Sequence, residues 1–214
     1  MQISGENGSV NFQKTRPFKV SKPKARQIQK VLWDDLRDLP FSGEKESREG
    51  TVRTLVGKFV ENIGSIVLGA QLCPDNSTCH YCPDLYLNGR YIECKSIGNS
   101  NQLFVYEGRL LKDRRFVLKG NILYYFIWQH QFKTKYAESH GEVVQGLIKY
   151  CRRVYVVPYT EIFRVLSRKK MVKLNNVTYG APGNRVYKYG YQAGLSEFSD
   201  FIVFEYGVNN RNGS

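Results

Sequence analysis

One short segment, residues 83–95, constrains the fold of this chain more than any other. At its centre, Asn88-Gly89 stands between two runs of alternating strand-forming residues. An Asn-Gly pair in that setting is the strongest local signal for a β-hairpin with a two-residue turn. Such a turn fixes the register of the two strands. The expected pairs are Leu87 with Arg90, Tyr86 with Tyr91, and Leu85 with Ile92.

The same register places Asp84 directly opposite Glu93, and Lys95 projects from the same face two residues further on. Directly opposed like charges destabilise a sheet, so the two carboxylates need a cation. Two carboxylates, water and phosphate oxygens are the usual ligands of Mg²⁺, and Mn²⁺ can substitute for it. We therefore interpret Asp84 and Glu93 as metal ligands, with Lys95 orienting water or stabilising charge on a phosphate. The alternative is an edge hairpin whose lysine offsets surface acids.

The spacing of these residues resembles a known family signature. Pro83-Asp84, eight residues, and then Glu93-Cys94-Lys95 is similar to the motif of the PD-(D/E)XK nuclease superfamily. The resemblance implies a restriction-endonuclease-like α/β fold, in which a mixed central β-sheet is flanked by α-helices. It also implies that Asp84 and Glu93 bind Mg²⁺, that Lys95 is the catalytic lysine, and that DNA is hydrolysed to 5′-phosphate products. Symmetric cutting of both strands needs two sites, so a homodimer is expected.

Members of this superfamily often carry a further glutamate on the helix before the hairpin. Residues 57–61, Gly-Lys-Phe-Val-Glu, resemble that element, and the apolar residues of 51–69 repeat at the spacing of an amphipathic helix. On this helix Glu61 lies opposite the apolar stripe, on the same side as Gly57. Glu61 is therefore a candidate catalytic residue, and an ordinary exposed glutamate is the alternative. Glu49, nearer the apolar side, is the other candidate.

Three cysteines close to the hairpin suggest a second kind of metal site. Cys73, Cys79 and Cys82 are separated by five residues and then by two, and they could hold a structural Zn²⁺ that braces the hairpin. The candidates for a fourth ligand are His80, Cys94 and Cys151. A strong zinc signature has two paired half-sites, and this segment has one and a half. Free thiols are the alternative, and a disulfide is least expected because the chain has five cysteines in all.

The charge of the chain points to a polyanionic partner. Lys and Arg outnumber Asp and Glu by 32 to 19 over 214 residues, which gives a formal net charge of +13. No apolar run approaches the roughly 20 residues that span a bilayer, and the N-terminus lacks the apolar core of a signal peptide. We therefore expect a DNA-binding protein of the cytoplasm with no membrane segment, of cellular, phage or mobile-element origin.

Two segments hold most of the positive charge. Residues 152–191 contain nine Lys or Arg, one acid and six tyrosines, a mixture suited to contacts with phosphates, sugars and bases. Residues 14–30 contain seven Lys or Arg and no acid, which is typical of an arm along a DNA backbone or of a solvated tail. The predicted nucleic-acid contacts are Arg164, Arg168, Lys169, Lys170 and Lys173 in the first segment, and Lys22, Lys24 and Arg26 in the second.

The pattern of elements divides the chain into four segments. They are a basic arm with a short helix at 1–48, a nuclease core at 49–170, a basic β-rich extension packed on the core at 171–206, and a disordered tail at 207–214. Inside the core the expected order is a helix at 51–69, the hairpin, a buried strand at 122–128, a helix near 140–151, a strand at 154–157 and a helix at 159–170.

Two other classes of function remain open beside a Mg²⁺-dependent endonuclease. One is a nucleic-acid-binding protein that keeps the fold without turnover. The other is an RNA-directed nuclease or a zinc-stabilised RNA-binding module. The set Asp84, Glu93 and Lys95 favours catalysis, because a non-catalytic protein has no chemical reason to keep all three. His130 and His140 are expected to have no catalytic role, whereas Ser96, Asn99, Asn101 and Gln102 are candidates to line a substrate groove.

Overall fold

The computed structural model describes residues 45–73, 83–134, 137, 139–179 and 185–205. The helices in these residues are α1 (Lys45–Leu68), α2 (Glu107–Leu118), α3 (His140–Lys149) and α4 (Tyr159–Leu166), with a 3-10 helix at Leu195–Phe201. The strands are β1 (Gln71–Leu72), β2 (Leu85–Leu87), β3 (Arg90–Ile97), β4 (Gln102–Tyr106), β5 (Ile122–His130), β6 (Cys151–Pro158), β7 (Val172–Tyr179), β8 (Arg185–Gly194) and β9 (Ile202–Glu205).

The central sheet has six strands in the order β1-β2-β3-β5-β6-β9. Strands β3 and β5 run parallel, and every other neighbouring pair in this sheet is antiparallel. Because α2 separates β3 from β5 in the chain, the parallel pair has the long crossover connection that parallel strands require. The protein is therefore an α/β protein with a mixed central sheet flanked by helices. This confirms the predicted α/β class and the predicted mixed sheet.

The hairpin forms in the register that the Asn-Gly turn predicts. Asn88 and Gly89 have φ values of 46° and 79°, as a turn with two left-handed residues requires. The observed pairs are Leu87 with Arg90, Tyr86 with Tyr91, and Leu85 with Ile92. One face of the hairpin packs on the core through Leu85, Ile92 and Cys94. The opposite face is thereby left for the charged residues.

Both faces of the central sheet are covered. Helices α1 and α3 pack on one face, and α2, α4 and the 3-10 helix pack on the other. Strand β5 lies between β3 and β6, and Tyr125, Phe126 and Ile127 have no exposed surface. A strand that is buried on both faces reads as a continuous apolar run, which is how this strand was predicted from its sequence.

The C-terminal segment contributes strands to two sheets. Strand β8 lies between β4 and β7 in a second, antiparallel sheet, while β9 pairs with β6 at the edge of the central sheet. The described residues 171–179 and 185–205 are thus joined to the core by backbone pairing through β8 and β9. The sequence shows short β-like runs here, but no local pattern identifies their distant partners.

Helix boundaries differ from the predicted ones at several ends. Helix α1 begins at Lys45 and ends at Leu68, where Gly69 adopts a φ of 67° as helix-terminating glycines commonly do. Helix α4 ends at Leu166, before the predicted 170. The predictions for the basic arm, the short helix at 26–38, Cys79, His80, Cys82 and the tail fall outside the described residues.

One glycine is required by close strand packing. A Cβ on Gly190 of β8 would lie 2.4 Å from the carbonyl oxygen of Val105 in β4. Gly190→Ala is therefore expected to push β8 away from β4 and lower the free energy of unfolding by about 1–3 kcal/mol, measured by urea denaturation. Gly194→Ala is the matched control, because its Cβ would come no closer than 3.4 Å to a neighbouring atom. Equal midpoints for the two variants would contradict this packing.

Candidate active site

Asp84 is held against strand β3 by a backbone hydrogen bond. Regular pairing of the hairpin ends at Leu85 and Ile92, and Asp84 Oδ2 accepts a hydrogen bond of 2.6 Å from the backbone N–H of Cys94. The carbonyl of Asp84 in turn accepts a hydrogen bond of 2.9 Å from the N–H of Cys73. Asp84 is thus fixed next to Cys94, the residue that follows Glu93, and the predicted pairing of Asp84 directly opposite Glu93 is not among the observed pairs of the hairpin.

Glu93 is the most buried acid of the hairpin, with 2% of its surface exposed. Lys95 Nζ donates a hydrogen bond of 2.5 Å to Glu93 Oε1, so the two side chains share one face of β3 as predicted. The other carboxylate oxygen, Oε2, accepts a hydrogen bond from Nη2 of Arg109. Glu93 therefore lies between two cations, one from its own strand and one from α2.

Burial dominates the electrostatics of both carboxylates. Desolvation raises the pKa of Glu93 to about 7, opposed by Lys95 and reinforced by the charge of Asp84. Desolvation also raises the pKa of Asp84, while the hydrogen bond from Cys94 lowers it and the charge of Glu61 raises it further. The two acids repel each other in a poorly hydrated site, so a bound cation would stabilise their ionised forms.

Glu61 is close enough to affect the hairpin electrostatically. Its charge raises the pKa of Asp84 and of the Cys94 thiol. Its side chain is 23% exposed and accepts a hydrogen bond of 3.1 Å from Lys58 Nζ on the same helix. Helix α1 therefore brings the charge of Glu61 within electrostatic reach of Asp84, and a catalytic role for Glu61 stays a prediction. Glu49 also lies in α1, but its side chain is outside the described residues.

A chain of ion pairs, ending in a hydrogen bond, extends from Glu93 into the core. Arg109, in the first turn of α2, donates from Nε to Oδ1 of Asp113 at 2.9 Å. Asp113 has no exposed surface, and its Oδ2 accepts a hydrogen bond from the hydroxyl of Tyr125 in β5. The planar guanidinium of Arg109 is held by one carboxylate while it contacts another. We call this set the Arg109 network; its members are Lys95, Glu93, Arg109, Asp113 and Tyr125.

Arg109 and Asp113 were not among the site residues predicted from the sequence. An Arg and an Asp four residues apart on a helix are visible as a pairing signal, and that spacing occurs at positions 109 and 113. Nothing in the local pattern indicated that this helix face would lie against Glu93. The crossover from β3 to β5 creates that contact, and it was not predicted.

The carboxylate oxygens of this site are the type of ligand that hard divalent cations prefer. Asp84 and Glu93 offer carboxylate oxygens, which Mg²⁺ and Mn²⁺ prefer. In the part of the chain that the structure describes, no group of three or more His, Cys, Asp or Glu side chains is placed to hold a metal ion. Mg²⁺ commonly takes one or two protein carboxylates and completes its octahedron with water and substrate phosphate. The pair is therefore sufficient for such an ion.

The cysteines do not form a zinc site within the described residues. Cys73 follows β1 and is half-buried, while Cys94 and Cys151 pack in or against the apolar core. Burial raises the pKa of Cys151 to about 12 and that of Cys94 well above its usual value. A zinc site built on Cys79 and Cys82 stays a prediction.

Five of the predicted nucleic-acid contacts surround the end of α4. Arg168, Lys170 and Lys173 are exposed. Arg164 pairs with Glu161 at 2.7 Å, and Lys169 pairs with Glu197 at 2.8 Å. Local acids therefore offset part of the positive charge that the sequence assigns to this surface. Lys22, Lys24 and Arg26 lie outside the described residues.

Comparison with known proteins finds no match for this chain among family models, curated proteins or solved structures. Among the described residues, no helix is both long and apolar enough to cross a membrane. Fold alone does not define function, so function has to be inferred from the geometry of the site.

Proposed function

We propose that this chain is a metal-dependent endonuclease that hydrolyses phosphodiester bonds in DNA, with Mg²⁺ as its cofactor and Mn²⁺ as a substitute. One observation carries the proposal. The hairpin brings Asp84, Glu93 and Lys95 together, with Lys95 Nζ 2.5 Å from Glu93 Oε1 and Asp84 bonded to the residue after Glu93. A buried glutamate, a half-buried aspartate and an amine at one place are a candidate site for metal-assisted hydrolysis.

We also propose that the fold is restriction-endonuclease-like and that the chain is a member of the PD-(D/E)XK superfamily, and the order of the elements supports this. In chain order, a helix precedes the hairpin, and a second helix connects the hairpin to a strand parallel to β3. Glu61 lies on the first helix and acts electrostatically on Asp84. A helix, a hairpin and a crossover that converge on one carboxylate cluster agree with what the motif implies.

Each residue of the site has a separate task in this mechanism. Asp84 and Glu93 would hold the metal ion, which when bound lowers the pKa of a coordinated water and polarises the phosphate. The N–H of Cys94 orients Asp84, and Arg109 fixes the second oxygen of Glu93. The Lys95 ammonium lies at the edge of this cluster, with 30% of its side chain exposed. It can therefore orient the attacking water or stabilise charge on the phosphate.

The substrate and assembly follow from charge and stoichiometry. A net charge of +13 favours a polyanion, and exposed Arg168, Lys170 and Lys173 provide cations for phosphate contacts. We propose DNA as the substrate, in the cytoplasm of the cell that makes the protein. Cutting both strands symmetrically requires two copies of the site, and a homodimer supplies them.

A second candidate is a nucleic-acid-binding protein without turnover. It is favoured by one specific observation: Lys95 and Arg109 already contact both oxygens of Glu93. In such a protein these cations would neutralise the buried acid in place of a metal ion. The basic surface would be the same in both proteins, so charge does not discriminate between them.

Incubation with supercoiled plasmid tests the two candidates against each other. In Mg²⁺ or Mn²⁺ the nuclease is expected to convert the plasmid to nicked and linear forms, and EDTA is expected to abolish the reaction. A structured RNA in parallel tests the RNA-directed alternative. Tight binding without cleavage in either metal would reject the nuclease and favour the second candidate.

The basic surface at the end of α4 gives a separate prediction. Replacing both Arg168 and Lys170 with Glu is expected to weaken duplex binding about equally for all sequences and to lower the salt dependence of affinity by roughly one unit of slope per lost phosphate contact. Fluorescence anisotropy at several salt concentrations in EDTA measures both quantities. Lys149→Glu on α3 is the control for an exposed lysine elsewhere. A slope equal to that of the control would place the DNA on another surface.

A further inference from the structure

A cavity of about 690 Å³ lies between the first half of α1 and the C-terminal ends of β3 and β5. Its volume is in the range of sites that hold small molecules. Gly57 on its wall is about one helical turn from Glu61, and Ser96 on its wall directly follows Lys95. Ser96 projects from the face of β3 opposite Lys95, so the cavity lies beside Glu61 of α1 and on the other face of the sheet from the side chains of Glu93 and Lys95.

One wall of the cavity carries an aromatic ring in a fixed position. The ring of Phe132 stacks on Tyr150, with 6.0 Å between centroids and 9° between planes. It also lies so close to Gly146 that a Cβ there would be 2.4 Å from the ring. Val52 and Val56 of α1 supply apolar surface elsewhere in the lining. A held aromatic ring and aliphatic side chains suit a planar heterocycle, because nucleic-acid bases stack on such surfaces.

The floor of the cavity carries a buried polar side chain. His130 is 5% exposed, and its Nε2 lies 3.2 Å from Ser96 Oγ. Its Nδ1 makes no hydrogen bond of normal geometry. A backbone contact at Phe132 raises the pKa of the ring. Burial has the larger effect and lowers the pKa of His130 to about 4. At neutral pH the ring can therefore donate from one nitrogen and accept at the other, as the edge of a base requires.

The charge of the lining favours an anionic ligand. Arg53 and Lys133 both line the cavity, and its described lining includes no Asp or Glu. A ligand that combines a planar heterocycle with one phosphate would match the ring, the polar floor and the two cations together. A nucleotide has this combination.

We propose that this cavity binds one nucleotide of the nucleic-acid strand, with its base against Phe132 and its phosphate beside Arg53 and Lys133. That this nucleotide belongs to the DNA strand to be cut rests on the proposed function. Unstacking a base costs a few kcal/mol in a duplex and less at a mismatch or in a single strand. The cavity is therefore expected to favour substrates with an unpaired base.

Filling the cavity tests this assignment without any cleavage. A Cβ on Gly57 would meet no atom within 4 Å, so Gly57→Phe places a ring in the cavity. Each of the four deoxynucleoside monophosphates is titrated in EDTA by calorimetry. The wild-type protein is expected to bind at least one of them, and Gly57→Phe is expected to weaken that binding about tenfold or more. Gly57→Ala, which leaves most of the space open, is expected to retain it.

A second variant separates the phosphate from the base and does not depend on Gly57→Phe folding. Lys133 is exposed, so Lys133→Glu is expected to leave the fold intact. It should weaken binding of the monophosphate and leave binding of the uncharged deoxynucleoside unchanged. Absence of monophosphate binding by the wild-type protein would overturn the assignment. So would a folded Gly57→Phe protein with wild-type affinity, or equal effects of Lys133→Glu on both ligands.

The outcome is distinguishable from that of the proposed function. If plasmid is not cleaved but Gly57→Phe removes nucleotide binding, the nuclease proposal fails and the cavity assignment stands. If plasmid is cleaved and nucleotide binding is insensitive to Gly57→Phe, the cavity assignment fails alone.

Discussion

Lys95→Ala is expected to reduce the rate of DNA cleavage by on the order of 10²- to 10³-fold while DNA affinity changes little. Lys95 Nζ lies 2.5 Å from Glu93 Oε1, so the substitution removes the ammonium that contacts this carboxylate. Because Arg109 continues to contact Glu93, the buried acid keeps a cation and the protein should stay folded. Single-turnover cleavage at saturating Mg²⁺ measures the rate, and anisotropy in EDTA measures the affinity.

Lys149→Ala provides the matched control for this prediction. Lys149 is an exposed lysine on α3 with its ammonium 5.4 Å from the ring centroid of Tyr150, and its loss should leave the cleavage rate within about twofold of wild type. Thermal unfolding of both variants checks the fold. A folded Lys95→Ala protein that cleaves at the wild-type rate would show that the chemistry does not use the hairpin lysine.

Arg109→Ala is expected to lower the free energy of unfolding by about 3–5 kcal/mol, the cost of leaving a buried charge without its partner. Asp113 has no exposed surface and would lose its ion pair with Nε. Glu93, which is nearly as buried, would lose one of its two cations. Urea denaturation measures this change in the free energy of unfolding. The expected value depends on the burial and pairing of the charges and does not depend on nuclease activity.

Arg115→Ala on the same helix is the control that shows how much of the loss of stability comes from the Arg109 network and how much from removing any arginine. Arg115 is exposed, and its loss is expected to cost no more than about 0.5 kcal/mol. A double-mutant cycle between Arg109→Ala and Asp113→Asn should give a coupling of about 1 kcal/mol or more. Additive effects, or equal costs for Arg109→Ala and Arg115→Ala, would mean that the ion pair does not stabilise the fold.

The hairpin was predictable because its information is local. Asn88 and Gly89 specify the turn, and the turn specifies every pair up to Leu85 and Ile92. The shared face of Glu93 and Lys95 follows from the two-residue period of a strand, whereas Asp84 lies beyond the last pair and is held by its hydrogen bond from Cys94. Strand β5 was predictable for a similar reason, since burial on both faces leaves a continuous apolar run.

The rest of the site depends on contacts between distant segments. Arg109 reaches Glu93 only because α2 crosses over the sheet between β3 and β5, a contact with no signature in the residues around Arg109. The helical spacing predicts that Glu61 lies opposite the apolar stripe of its helix, but it does not specify that its charge acts on Asp84 of the hairpin. The pairing of β9 with β6 has the same origin, because backbone pairing carries little sequence information at an edge strand.

The most direct test of the central claim is a crystal grown in Mn²⁺ and measured at the manganese absorption edge. We expect one anomalous peak between the carboxylates of Asp84 and Glu93, and we expect it to be lost in Glu93→Gln. A peak at another place, or a hairpin in which Lys95 and Arg109 hold Glu93 unchanged at high Mn²⁺, would contradict the metal-dependent site.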